Sequence, residues 1–186
     1  MITWRRCWVT PSRGYPHLVR VFVPATLAML QRLVAAESFR PVNGTAFAVT
    51  PALREAYAEG DEDELADVAL REAALASLRL LDDEPAEGLP PRRVVVELDL
   101  DDADGITFRP DLDDAVVRIA GDVPIGRVVA AYVDNAAAEP AVLAAVDVID
   151  SADLGDEDAE LTVGDAQDHD LAWYAPQELN FLLDLL

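Results

Sequence analysis

Four aspartates follow a run of alternating apolar residues in the segment ELDLDDADG (97–105). They are Asp99, Asp101, Asp102 and Asp104. Carboxylates that converge on one spot can bind a divalent cation, and a bound cation can activate water or stabilise a phosphoryl group. The segment therefore offers a weak candidate metal site and, with it, a divalent-metal-dependent hydrolase or phosphotransferase. The other interpretation, which the sequence favours, is a solvated turn at the end of a strand.

Two known arrangements of carboxylates can be compared with this segment. An apolar strand that ends in Asp-x-Asp resembles the start of the aspartate-nucleophile phosphotransferases, which implies Asp99 as the nucleophile and Asp101 as the acid/base. However, Ala103 stands where that family usually has Thr or Val, and the chain has no lysine to hold the phosphoryl group. An EF-hand-like loop with Gly105 as its turn glycine would have Leu100 at the first ligand position, where a carboxylate is needed. Neither arrangement is complete.

The run FRPVNGTAFAVTPALREAY (39–57) is the least ambiguous stretch of the chain. Its Asn-Gly pair is the favoured one for a two-residue hairpin loop, because both positions of a type I′ turn need a positive φ. Its Thr-Pro pair predicts the start of a helix. We interpret the run as a corner of the fold. The alternative is a small polar pocket lined by Arg40, Asn43 and Thr45.

Residue types exclude several kinds of chemistry. All 14 basic residues are arginine, so a phosphate-loop lysine, a Schiff-base lysine and a catalytic lysine are absent. One cysteine, Cys7, and two histidines, His17 and His169, are too few for a Cys/His zinc site. The chain contains neither Gly-x-Ser-x-Gly nor Gly-x-Gly-x-x-Gly. The alternating carboxylates of GDEDAE (155–160) are interpreted as a solvated charge run. No catalytic residue and no cofactor is predicted.

Charge is unevenly distributed along the chain. The net charge is −22; residues 1–58 carry a balance of +5 and residues 59–186 a balance of −27. So acidic a chain repels phosphate backbones, and we expect no direct nucleic-acid binding. No apolar run is long enough to span a membrane, and a single cysteine fits a reducing cytoplasm. We expect the partner to be another protein.

Residues 1–18, MITWRRCWVTPSRGYPHL, differ in composition from the rest. They contain three arginines, no acid and two of the three tryptophans, and they lack the apolar stretch of a signal peptide. From Val19 the pattern becomes that of a strand followed by a helix, and a GTG start codon translated from upstream would give this valine. We predict a non-native or disordered basic extension before a single globular domain over residues 19–186. A functional basic arm is the alternative.

The periodicity of apolar residues predicts an α/β (or α+β) fold with a single mixed β-sheet of about five or six strands, covered by helices. Strands are predicted at 20–23, 45–49, 93–100, 106–108, 116–119, 128–133 and 171–174. Helices are predicted at 27–36, after Thr50, from Asp61 to Leu81, from Pro140 to Val148 and after Pro176. Strand 93–100 is predicted to be half-buried and strand 128–133 to be central. Residues 82–91 are predicted to form a hinge-like linker, and residues 150–170 an acidic loop.

Three runs carry a resemblance to a known family. RPVNGTAFAVTPALREAY, preceded by VRVFVPATLAML and followed late in the chain by LAWYAPQELNFLL, resembles a family of small acidic actinobacterial proteins of unknown function. The likeness covers Val19 to Leu186. It implies a cytoplasmic location, and it implies no activity and no site residue.

Two functions from different classes follow. The first is a non-catalytic cytoplasmic protein-interaction or regulatory module with an acidic surface. The alternative is the metal-dependent hydrolase or phosphotransferase described above. A mimic of nucleic acid that binds a basic protein is a further, minor hypothesis.

Overall fold

A computed structural model describes residues 18–57, 59–83, 88–101 and 105–186. Within these residues the chain forms nine strands and seven α-helices. The strands are β1 (Val19–Ala25), β2 (Ser38–Phe39), β3 (Thr45–Ala48), β4 (Val94–Leu100), β5 (Ile106–Phe108), β6 (Val116–Ile119), β7 (Val123–Pro124), β8 (Val128–Val133) and β9 (Ala172–Tyr174). The helices are α1 (Leu27–Ala36), α2 (Pro51–Ala56), α3 (Glu62–Asp83), α4 (Glu139–Val146), α5 (Ile149–Asp153), α6 (Glu157–Gln167) and α7 (Leu179–Asp184).

Seven strands form the main sheet in the order β5-β6-β3-β1-β4-β8-β9, and β2 pairs with β7 in a small second sheet. β1 lies at the centre and pairs with β4 along its whole length, from Val19 opposite Leu100 to Ala25 opposite Val94. The predicted α/β class, with one main sheet covered by helices, is confirmed. The sheet has seven strands where five or six were expected. The prediction of a mixed sheet is wrong, since all the pairings among the described strands are antiparallel.

Strand β4 was predicted to be half-buried, and this is wrong. Its alternation is as expected, since Val94, Val96, Leu98 and Leu100 all point into the core beneath α1 and α7. The opposite face is buried too, because α3 packs on it: Val95 belongs to the core on that side. Strand β8, predicted to be central, lies second from the edge between β4 and β9.

One face of the sheet is covered by α1, α7 and the small sheet. Thr26 caps α1, as the sequence predicts. Its hydroxyl oxygen accepts a hydrogen bond from the backbone N–H of Met29 at 3.3 Å. The apolar side of α7 also packs here, with Leu179 and Leu182 buried in the same core as α1.

The other face is covered by α3, whose start shows the predicted capping box. The Asp61 carboxylate accepts from the Glu64 N–H, and the Glu64 carboxylate accepts from the Asp61 N–H, each at 3.0 Å. α3 is buried on two sides: Leu65 and Ala69 pack on the sheet, and Leu78 packs on the helices α4 to α6. We call α4, α5 and α6 together the acidic layer.

The prediction of an acidic loop over residues 150–170 is wrong, because this segment forms most of α5 and all of α6. Asp156 caps α6 by accepting from the Ala159 N–H at 2.9 Å, and the acids of the first turn are stabilised by the positive end of the helix dipole. Ala159, Val163 and Ala166 form a buried stripe with helical spacing. The sequence prediction missed this stripe because the segment contains many carboxylates.

The Asn-Gly pair forms a corner, although not the predicted hairpin. Asn43 and Gly44 have φ angles of +53° and +68°, as a type I′ pair needs. The strands on either side do not pair with each other: β2 pairs with β7, whereas β3 pairs with β1 and β6. The corner therefore moves the chain from the small sheet to the main sheet.

Several predictions concern residues outside the described part of the chain. These are the extension before Leu18, with Cys7 and His17, the middle of the linker at 84–87, and Asp102 to Asp104. In the part of the chain that is described, no helix is long and apolar enough to cross a membrane.

Candidate functional site

The two described aspartates of the predicted metal site lie in different surroundings. Asp99 is half-buried and borders a cleft of about 280 Å³ together with Arg20 and Arg54. Asp101 forms an ion pair with Arg127, with 3.1 Å between Oδ2 and Nη2. Asp102 and Asp104 lie outside the described residues. Among the described residues, no group of three or more His, Cys, Asp or Glu side chains is arranged to hold a metal ion.

The structure brings together two of the three residues of the predicted polar pocket. The Nη1 of Arg118 donates to the carbonyl oxygen of Asn43 at 2.6 Å and to the hydroxyl of Thr45. Arg40 points elsewhere, since its Nε donates to Asp122 at 2.7 Å. Asn43 and Thr45 thus hold the arginine of a neighbouring strand, and this contact braces the corner against β6.

A cleft lies between α3, α6 and the segment that follows α6. Its volume is about 630 Å³. It is lined by Asp67, Leu70, Arg71, Ala74, Arg93, Tyr132, Glu160, Leu161, Gly164, Asp165, Gln167, Asp168, His169, Asp170 and Leu171. We call it the α3–α6 cleft.

A chain of polar contacts lies beneath the α3–α6 cleft. The hydroxyl of Tyr132 donates to Glu97 Oε2 at 2.8 Å, and Glu97 Oε1 lies 3.2 Å from the Nε of Arg20. Glu97 is buried, so these two partners are what keep its carboxylate satisfied between the sheet and α3. The ring of Phe22 meets that of Tyr132 edge to face at 6.3 Å and fixes its orientation.

A second buried contact holds the segment after α6. Arg93 and Asp134 form a bidentate ion pair, with Nε to Oδ2 at 2.8 Å and Nη2 to Oδ1 at 2.7 Å. The same Nη2 donates to the carbonyl oxygen of His169 at 2.7 Å. Asp134 also accepts from the Arg93 backbone N–H at 2.8 Å. This clamp ties strands β4 and β8 to the edge of the α3–α6 cleft.

We expect the ionisation of Tyr132 to make stability depend on alkaline pH. Burial, and then the hydrogen bond to Glu97, raise the pKa of Tyr132 well above its usual range. An unfolded tyrosine ionises near pH 10, so above that pH the unfolded chain binds fewer protons than the folded chain. The stabilisation is fully present below about pH 10 and is lost as pH rises from there toward the raised pKa.

The comparison is urea unfolding at about pH 9 and about pH 11 for the wild type, Tyr132→Phe and Tyr57→Phe. The wild type should lose up to about 1 kcal/mol per pH unit more than Tyr132→Phe, after allowance for screening by water in the cleft. Tyr57 is exposed, so Tyr57→Phe should follow the wild type. If the wild type and Tyr132→Phe lose the same free energy of unfolding between the two pH values, the prediction for Tyr132 is contradicted.

The sequence did not indicate that Arg93 and Tyr132 border one cleft, or that Asp134 pairs with Arg93. A signal existed for Glu97, a carboxylate within an otherwise apolar strand, because a buried charge needs a partner. Its partner Tyr132 lies in a strand that reads as apolar, and 35 residues separate the two. Of the histidines, His169 does border the α3–α6 cleft.

The electrostatics of the α3–α6 cleft favour a cation. Five carboxylates border it, against two arginines, and Asp134 already neutralises Arg93. Apolar side chains such as Leu70, Leu161 and Leu171 lie among the carboxylates. An arginine or lysine side chain with apolar neighbours would fit this mixture.

Comparisons with known proteins give one match. A family of unknown function (DUF6912) matches residues 19–183. Neither a curated protein nor a solved structure matches the chain. The matched region begins at the residue where the resemblance in the sequence begins, and it includes every strand of the described residues and nearly all of α7. The chain therefore belongs to the DUF6912 family of unknown function.

Proposed function

We propose that this chain is a non-catalytic cytoplasmic module that binds another protein through its acidic layer. The partner would present a basic segment with apolar side chains. The α3–α6 cleft, at the border of the acidic layer, would receive that segment.

The observation that carries this proposal is the segregation of charge in the fold. Ten carboxylates between Asp147 and Asp170 are exposed. Within the described chain, only Asp153 among these ten forms an ion pair with an arginine, Arg79. From Val128 to the last residue the sequence has no arginine at all. Such a surface attracts basic partners and speeds their association.

Apolar anchors accompany these carboxylates. Leu161 is 71% exposed and borders the α3–α6 cleft, and Leu143 and Leu154 are exposed on the same layer. Large exposed leucines among charges are typical of surfaces that bind a partner with some specificity, because contact with apolar groups adds to the attraction between charges.

The polar groups beneath the cleft support binding more than catalysis. Arg93 is engaged by Asp134, and the Tyr132 hydroxyl is engaged by Glu97. Each of these contacts stabilises the walls of the cleft. We do not propose the metal-dependent alternative, because Asp101 is paired with Arg127 while Asp99 borders another cleft, and among the described residues no third ligand is grouped with them.

The test compares two variants with equal changes of charge. Asp165→Asn/Asp168→Asn/Asp170→Asn removes three carboxylates of the α3–α6 cleft. The control Asp82→Asn/Asp83→Asn/Asp114→Asn removes three exposed carboxylates that do not border the cleft. Proteins retained from a cell extract by the immobilised wild type are identified by mass spectrometry, and the purified partner is titrated calorimetrically against all three forms.

We expect the cleft variant to bind at least about tenfold more weakly than the control variant. Binding of the wild type should weaken as NaCl rises, because salt screens the attraction between opposite charges. A partner that binds the cleft variant as tightly as it binds the wild type would contradict the proposal.

A further inference from the structure

The surface opposite the acidic layer has a different character. It is formed by α1, α7 and the chain from β2 to the Asn43-Gly44 corner, which pack on the other side of the sheet. Between Leu27 and Gly44 the only acid is Glu37, and the bases are Arg32 and Arg40. In a chain with a net charge of −22, this is a surface of low charge.

A groove runs along α1 on this surface. Its volume is about 540 Å³. It is lined by Met29, Arg32, Ala35, Ala36, Ser38, Phe39, Arg40 and Val42. The lining is mostly apolar, includes two arginines and contains no carboxylate. We call it the α1 groove.

An exposed apolar ridge lies on the same side of the sheet. Phe181 lies on α7 and Leu185 directly follows this helix; the two are 71% and 86% exposed. They are four residues apart and the backbone of Leu185 is still helical, so they share one side, while Leu179 and Leu182 face the core. Two large apolar side chains so exposed beside each other indicate a contact surface. Two acids accompany the ridge: Asp184 lies on α7, and Glu178 directly precedes the helix.

We propose that two copies of this chain associate through this surface, with the α7 ridge of each copy in the α1 groove of the other. A two-fold dimer needs both complementary features on one face of the chain, and α7 contacts α1 within the chain. The charges are compatible, since the groove contains Arg32 and Arg40, the latter paired with Asp122, and no carboxylate lines it, while the ridge carries carboxylates. Apolar side chains would fill the groove between them.

This arrangement keeps the two acidic layers apart. The acidic layer packs on α3, which covers the opposite face of the sheet, so pairing through α1 and α7 turns the carboxylates of both copies outward. Two bodies with charges of −22 still repel each other at long range. Salt therefore strengthens the dimer, whereas it weakens the contact with a basic partner.

The experiment is sedimentation velocity of the full chain from about 1 µM to about 1 mM, in about 0.05 M and about 0.5 M NaCl. Phe181→Asp tests the ridge, and Leu161→Asp is its control, because both wild-type side chains are 71% exposed and lie on opposite faces of the molecule. Ala35→Glu tests the groove, and Ala144→Glu, at an exposed position of α4, is its control. Circular dichroism checks that each variant folds.

We expect a dimer for the wild type and both controls, with tighter association in the higher salt. Phe181→Asp and Ala35→Glu should each raise the dissociation constant by about 30-fold or more. A wild type that stays monomeric over the whole range overturns the inference. An equal change of the dissociation constant in a variant and its control also overturns it. The sedimentation measurements do not involve the basic partner, so either proposal can fail alone.

Discussion

Asp134→Ala is expected to lower the free energy of unfolding by about 3–5 kcal/mol, measured by urea denaturation at neutral pH. Asp134 and Arg93 are almost completely buried, with 0% and 2% of their side chains exposed. Removing the carboxylate leaves the Arg93 guanidinium in the interior with the His169 carbonyl as its remaining described acceptor. A buried charge without a counter-charge costs far more than an ordinary lost hydrogen bond.

The molecule offers a control with the same chemistry on its surface. Arg79 and Asp153 form a bidentate pair with similar distances, 2.8 Å and 2.6 Å, but 42% and 43% of these side chains are exposed. Asp153→Ala should therefore cost less than about 1 kcal/mol. Equal losses of unfolding free energy in Asp134→Ala and Asp153→Ala would mean that burial of the Arg93–Asp134 pair does not increase the cost of breaking it.

The double variant Arg93→Met/Asp134→Leu separates the cost of an unpaired charge from the value of the pair. It removes both charges and replaces them with apolar side chains, which is often close to neutral for a buried pair. We expect it to be more stable than Asp134→Ala. A double variant that is less stable than Asp134→Ala would show that the clamp contributes more than mutual neutralisation.

Gly44→Ala is expected to lower the free energy of unfolding by about 3 kcal/mol, the sum of a backbone cost and a steric cost. The φ of Gly44 is +68°, which L-residues rarely adopt. A Cβ built there would lie 2.5 Å from the carbonyl oxygen of Ile119 in β6. Because that atom belongs to the backbone of a paired strand, β6 would have to shift to relieve the contact.

Gly121→Ala is the control for Gly44→Ala. Gly121 also has a positive φ, +86°, but nothing lies within 4 Å of the position of its Cβ. Gly121→Ala should therefore lower the free energy of unfolding by only about 1 kcal/mol, which is the backbone cost alone. Thermal melts of both variants measure the difference. A similar loss in both would show that the approach of Gly44 to Ile119 is not tight.

Local signals predicted the elements of this fold well. Thr26, Thr50 and the Asp61–Glu64 pair each cap the helix that they were expected to begin. These contacts join residues within one turn, so the sequence contains all their participants. The alternation in β4 likewise identified which residues share the face that packs under α1 and α7.

The candidate site was not predictable in the same way. Arg93 meets Asp134 because β4 and β8 pair in a particular register, and nothing local to either residue specifies that register. The α3–α6 cleft exists because residues 157–167 form a helix, where the density of carboxylates suggested a loop. The carboxylate content was visible in the sequence, but the helix that arranges it depends on the buried stripe of small residues.

The pairing of β1 with β4 affects how the protein can fold during synthesis. Val21 pairs with Ala48 on one side and with Leu98 on the other, so one neighbour of the central strand is made long after the strand itself. At a translation rate of about 5–20 residues per second, β1 waits about 4–15 s for β4. During this interval the apolar run of β1 has an unpaired edge, which is a hazard for aggregation on the ribosome. Closing so long a loop also makes folding slow after release, and the sheet is completed only when β8 and β9 follow.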